Sequence, residues 1–218
     1  MRQVFHDQLD AVFRDLAVIC GEVEQAVRLA TASLLTGDAE IAERVISADI
    51  EIDRARERVE EKAFELLSLQ QPVAGDLRVV VAALRMVTEL ERMGDLSVHV
   101  AKIARLRTPF VAVPDEVRPT VSRMAEVAEE MVAKVSRIIT ERDVQAAIAL
   151  GRADEEMDRL RRTSFTELLG DGWTHGVEAA VDVALLGRYY ERIADHAVSV
   201  ANRVVFVVTG ENPRTVGA

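Results

Sequence analysis

The feature that most constrains this chain is that it contains one pattern twice. The stretch ELERMGDLSVHVAKIA, beginning at Glu89, returns as YYERIADHAVSVANRV, beginning at Tyr189. Glu91, Arg92, Asp95 and Ala101 thus recur as Glu191, Arg192, Asp195 and Ala201, 100 residues later. An earlier stretch, ADIEIDRAR from Ala48, returns as ADEEMDRLR from Ala153. Here Asp49, Asp53, Arg54 and Arg56 recur as Asp154, Asp158, Arg159 and Arg161, 105 residues later. Two matches in the same order point to a duplicated structural unit. The five-residue difference between the two offsets falls between the paired stretches.

Helix punctuation divides each unit into three segments. The spacing predicts helices over 4–35, 38–69 and 76–106, then over 115–140, 143–169 and 177–208. Asp38 stands where an N-cap belongs, after Thr36-Gly37. Loops are expected at 70–75, around Pro72, and at 170–176, around Trp173. Residues 108–114 hold two prolines and no charge and read as a linker. The chain is therefore expected to be all-α, with two pseudo-symmetric three-helix bundles in tandem, 1–107 and 115–218. Aromatics make up only 4% of the 218 residues while hydrophobic residues make up 49%, which suits closely packed helices of Ala, Val and Leu. The β-branched run VVFVV near the end is kept helical, because the 3.6-residue pattern continues into it.

Charge narrows the function classes. The net charge of −10 argues against binding to nucleic acid, whose phosphates are met by Lys and Arg. No basic block offers attraction to an anionic membrane surface. One cysteine, Cys20, excludes an intrachain disulfide framework and a Cys-rich zinc site, and fits a reducing compartment. The first residues carry charge from position two and contain no apolar signal core, so cytoplasm is the expected location.

Each unit carries two acidic pairs spaced i, i+4: Asp49/Asp53 with Glu91/Asp95, and Asp154/Asp158 with Glu191/Asp195. Residues four apart share a helix face, where two negative charges repel by a few tenths of a kcal/mol. At about 100° per residue the pairs fall in line with apolar positions such as Val80, Leu84, Val87 and Val98. The expectation is that they interrupt a packing face. A desolvated carboxylate costs several kcal/mol unless a positive group compensates it. Two readings stay open at this point. In one, facing pairs from neighbouring helices hold a metal cluster of iron, manganese, magnesium or zinc in each unit. In the other, Arg56, Arg92, Arg161 and Arg192 neutralise the acids as a salt-bridge network. One turn beyond the pairs, the first unit adds Glu57 and His99 as further candidate ligands, where the second has Arg162 and Ser199. That difference favours the first unit if only one site holds metal well. His196, beside Asp195, is at most a supporting residue.

No phosphate-binding loop, dinucleotide fingerprint or Ser-His-Asp or Cys-His spacing is present. None of the four histidines has a Glu three residues before it, which disfavours the ferritin-like di-iron enzymes. No catalytic residue is assigned.

QPVAGDLR (71–78), ELERMGDLSVHVA and ERIADHAVSVA together resemble the PhoU family of phosphate-transport regulatory proteins, over nearly the whole chain. The resemblance implies a fold of two similar three-helix bundles. It implies multinuclear iron or zinc on Asp49, Asp53, Glu91, Asp95, Asp154, Asp158, Glu191 and Asp195. It further implies a cytoplasmic negative regulator of the phosphate-starvation response that acts by contact, without catalysis. Its partners would be the ATPase subunit of the phosphate ABC transporter and a membrane sensor histidine kinase, with self-association as a homodimer. His99 and Ser199 depart from the asparagine usual in the family. Alternatives are an accessory subunit of a low-affinity phosphate permease, or a carboxylate-bridged metalloenzyme.

Overall fold

The computed structural model describes residues 2–211. These form six helices: α1 (Arg2–Thr36), α2 (Ala39–Gln70), α3 (Gly75–Arg107), α4 (Arg118–Glu141), α5 (Val144–Leu169) and α6 (Gly176–Thr209). No strand occurs among the described residues. The segmentation follows the caps. Asp38 accepts hydrogen bonds from the amides of Glu40 (2.9 Å) and Ile41 (3.0 Å), and Asp143 accepts one from Ala146 (2.9 Å). Each carboxylate satisfies amides that the first turn leaves unpaired.

One boundary differs from expectation. α4 starts at Arg118 rather than near residue 115, with a proline in its first turn. That proline, Pro119, is tolerated in the opening turn of a helix, where its missing amide would have no partner, and so it marks the helix start. The preceding residues instead close a turn, in which the Val117 and Arg118 amides both bond the Pro114 carbonyl.

The two units share one core. Within the first, α1, α2 and α3 pack on one another; within the second, α4 and α5 pack together and α6 lies against both. Beyond these contacts, α1 packs on α4 and α3 packs on α6. The four helices α1, α3, α4 and α6 form the centre, with α2 and α5 as outer flanks. Leu16, Ile19, Met86, Leu90, Met124 and Met131 are all fully buried within it.

α3 and α6 run antiparallel along the seam. Arg78 at the start of α3 lies over the Phe206 ring near the end of α6, at 5.7 Å. Glu89 meets His196 at 2.5 Å in the middle. Arg107 at the end of α3 bonds Asp182 near the start of α6, at 2.5 Å. The two duplicated acidic motifs therefore flank the centre of the seam. The α2–α3 and α5–α6 turns lie at opposite ends of it.

Candidate metal centre

α2 supplies Asp49 and Asp53, and α3 supplies Glu91 and Asp95. The sequence expectation that these acids point inward is corrected by the structure. Asp95, Asp158 and Asp195 are exposed, and Asp49, Asp53, Glu91 and Asp154 are half-buried. Only Glu191, 8% exposed, is buried. The cause is the number of neighbours that α3 and α6 have. α3 packs against α1, α2 and α6, so apolar residues cover three of its sides and several apolar stripes overlap. The remaining solvent stripe runs through Val81, Arg85, Thr88, Arg92, Asp95 and His99, all exposed. Asp95 belongs to that outer stripe, and Glu91 lies on its edge.

The acids are nevertheless gathered as the pairing predicts. Asp49 is pushed up to about 6, first by partial burial and then by the charges of Asp95, Asp53 and Glu91. Asp154 is pushed up to about 6 by burial and then by Asp195, Asp158 and Glu191. Glu91 and Asp195 are also raised, each first by burial and then by the acid four residues away. Each unit thus brings four carboxylates into one half-dry groove between its last two helices. Gly94 contributes in the first unit. A Cβ there would lie 3.1 Å from Ile52 Cδ1 and 3.5 Å from Asp49 Oδ1, so its absence lets α3 sit tightly against α2 beside Asp49.

The arginines divide between the two readings. Arg56 does not turn to the acids of its own cluster; its Nη1 bonds both oxygens of Glu60 at 2.9 Å. Among the described residues, none of Asp49, Asp53, Glu91 and Asp95 makes an ion pair within 4.0 Å. Arg161 instead reaches Glu191, with Nε 3.4 Å from Oε1. Arg188 bonds the other oxygen of Glu191. Arg188 was missed from the sequence, although its i, i+3 spacing to Glu191 signals such a pair.

The extra candidates fare differently. Glu57 is exposed. The His99 ring engages α6, stacking on Tyr189 at 5.3 Å and 23°. His196 faces Glu89 of the other unit, and this bond holds the Glu89 carboxyl below its ordinary value. The Arg107–Asp182 pair, with Arg107 also 3.2 Å from Glu178, was likewise not foreseen. As the side chains stand, no three His, Cys, Asp or Glu among the described residues are grouped to hold a metal ion. The donor chemistry of the first groove still suits a hard cation, because it offers four carboxylates and no neutralising ion pair. A cation bound there would supply the missing positive charge.

A PhoU domain is recognised twice in the chain, over residues 16–104 and 121–204. The chain belongs to the PhoU family. Two relatives named phosphate-specific transport system accessory protein PhoU homolog 2, from Mycobacterium tuberculosis and Mycobacterium bovis, are each 46% identical over 213 residues. Those alignments span 98% of this chain and 100% of each relative. A PhoU homolog 1 from Mycobacterium leprae is 45% identical, across 98% of this chain and 96% of its own length. PhoU from Pseudomonas aeruginosa superposes with a TM-score of 0.85 at 26% identity, covering 95% of this chain and 100% of that one. PhoU from Streptococcus pneumoniae shares the fold, with a TM-score of 0.86 at 24% identity, over 95% and 98% of the two chains. The tandem PhoU repeat seen in the sequence is therefore the architecture of this chain.

Proposed function

We propose that this chain is a regulatory accessory protein of phosphate transport. The observation that carries the reading is likeness across 98% of the chain to proteins named as accessory to the phosphate-specific transport system. We assign it a place in the cytoplasm, where it represses the phosphate-starvation response. It does so by contact with the ATPase subunit of the phosphate ABC transporter and with a sensor histidine kinase. No helix among the described residues is long and apolar enough to cross a membrane.

A contact role is supported by the surface. Large apolar residues stand exposed at the ends of both outer hairpins. Phe64, Leu69, Val73, Leu77 and Val81 gather at one, and Phe165, Leu169, Val177, Val181 and Leu185 at the other. Exposed apolar patches of this kind mark places where proteins meet. A second copy of the chain is one such partner, giving the homodimer.

We further assign the acidic grooves a cation-binding role, with Asp49, Asp53, Glu91 and Asp95 in one and Asp154, Asp158, Glu191 and Asp195 in the other. The support is the gathering of four carboxylates in each groove at a cost in mutual repulsion. Iron, zinc, manganese and magnesium all suit oxygen donors of this kind.

Two measurements test the regulatory reading. Affinity capture with the tagged chain is expected to recover the transporter ATPase and the kinase, and Val177→Glu with Leu77→Glu to weaken both. Deletion is expected to raise phosphate-starvation transcription in phosphate-rich medium. Unchanged transcription together with empty captures would rule the reading out.

A further inference from the structure

The two acidic grooves carry the same four acids, but among the positions that differ between them three bear directly on the charges. Glu60 in the first unit corresponds to Phe165 in the second, Thr88 to Arg188, and Gly94 to Ala194. Each difference has a visible effect. Glu60 pairs with Arg56 one turn along α2, which leaves Arg56 acting on Glu91 only from longer range. Phe165 offers Arg161 only a ring face, at 5.9 Å, and leaves that guanidinium free to reach Glu191. Arg188 then takes the second oxygen of Glu191. Thr88, at the equivalent place, is too short to reach Glu91 and donates its hydroxyl to the Leu84 carbonyl at 3.1 Å. Gly94 admits Asp49 close to the α3 backbone, whereas Ala194 carries a methyl group there.

We infer that the second groove is closed by its own arginines, so that the chain takes divalent cations through the first groove alone. Both oxygens of Glu191 are held by guanidinium groups, which a cation would have to displace. Those two positive groups also repel an approaching cation. Glu91 has no ion pair to break, and Arg56 and Arg92 act on it only from longer range. At Glu191, Arg188 makes a charge-assisted hydrogen bond to one oxygen, and Arg161 Nε stands as an ion pair 3.4 Å from the other without a hydrogen bond, so a cation would have to break the first and displace the second. The consequence is a chain with one loading site and one structural copy of it. The inference rests on the cation-binding reading given above and adds which half acts and why.

The test uses the full chain, freed of metal by chelation and titrated with Mn2+. Free Mn2+ is followed by its EPR signal and bound metal by elemental analysis. Asp95→Asn is expected to weaken binding by roughly tenfold or more, and Asp195→Asn to leave it unchanged. Moving the arginine clamp is the sharper experiment. Glu60→Phe with Thr88→Arg should weaken binding as much as Asp95→Asn does, although every acid is kept. Phe165→Glu with Arg188→Thr should open the second groove, raise the bound Mn2+ and make binding sensitive to Asp195→Asn. Should that pair fail to fold, Arg188→Thr alone carries the same expectation.

Equal sensitivity of the native chain to Asp95→Asn and Asp195→Asn would overturn the closure and leave cation binding standing. No Mn2+ bound by the native chain or by the opened variant would overturn the cation reading and the closure with it. Thermal unfolding of the metal-free chain reads the clamp without any cation. Arg188→Thr should lower Tm, and an unchanged or higher Tm would count against the clamp.

Discussion

The groove between α2 and α3 and the groove between α5 and α6 were built to one plan and are now electrically different. Asp49 and Asp154 respond alike, both pushed up to about 6 by burial and by three neighbouring acids. Glu91 and Glu191 do not share their surroundings. Glu91 stands half-buried without an ion pair, and Glu191 is buried under Arg161 and Arg188. The acids themselves are identical at all four positions. The contrast comes from Glu60, Thr88 and Gly94 against Phe165, Arg188 and Ala194, of which Glu60 alone carries a carboxylate. Conserving the charged residues of a motif does not conserve its electrostatics, because the neighbours decide where each arginine goes.

The largest effect is expected where the helices approach most closely. Gly94→Val would push carbon into Ile52 and toward Asp49 and should cost about 1–3 kcal/mol, as overpacking does. The opposite exchange, Ala194→Gly, should cost about 1 kcal/mol through helix propensity alone. Urea unfolding of the two variants measures both, and a harmless Gly94→Val would remove the difference in helix approach.

Next come the glutamates. Glu191→Gln strips two guanidinium groups of their partner and should cost about 1–2 kcal/mol. Glu91→Gln breaks no ion pair and relieves repulsion, so it should be neutral or stabilising by a few tenths of a kcal/mol. Equal losses in the same unfolding assay would mean that the two glutamates have equivalent surroundings after all.

The smallest effect is one in which the two grooves should agree. Asp49 and Asp154 both rise from an ordinary value of 3.8 to about 6. A carboxyl that holds its proton more tightly when folded contributes fully below its unfolded value, and its contribution fades as pH rises through about 6. The metal-free chain should therefore lose a few tenths of a kcal/mol per group between pH 4 and pH 7, a small amount because both groups are half-exposed and screened. Asp49→Asn and Asp154→Asn should each flatten the profile of Tm against pH to the same degree. A profile that Asp49→Asn leaves untouched would mean that its carboxyl is not held among acids.

Much of this architecture could be read from the chain before any coordinates. Asp38 and Asp143 announce helix starts, Pro72 and Gly170 mark turns, and the offsets of 100 and 105 residues reveal the duplication. The membership of each acidic group followed from i, i+4 spacing. Its depth did not, because a helix packed on three sides has overlapping apolar stripes, and Asp95 aligned with one while belonging to the solvent face. Partners across the seam were also hidden. Glu89 with His196 and Arg107 with Asp182 depend on α3 and α6 running antiparallel, which no local pattern encodes. Arg188 is signalled by its i, i+3 spacing to Glu191, but the duplication does not point to it, because its counterpart in the first unit is the uncharged Thr88.

The antiparallel seam also fixes how far apart the chain can act. α3 has 33 residues, so at 1.5 Å per residue its two ends are separated by about 50 Å. The hairpin tips with their exposed apolar side chains sit at those two ends and face opposite ways along the axis. One molecule can thus be gripped by two separate bodies at once, like a rod held at both ends. Whatever occupies one end leaves the other free, and the distance between them is set by rigid helix rather than by a flexible tether.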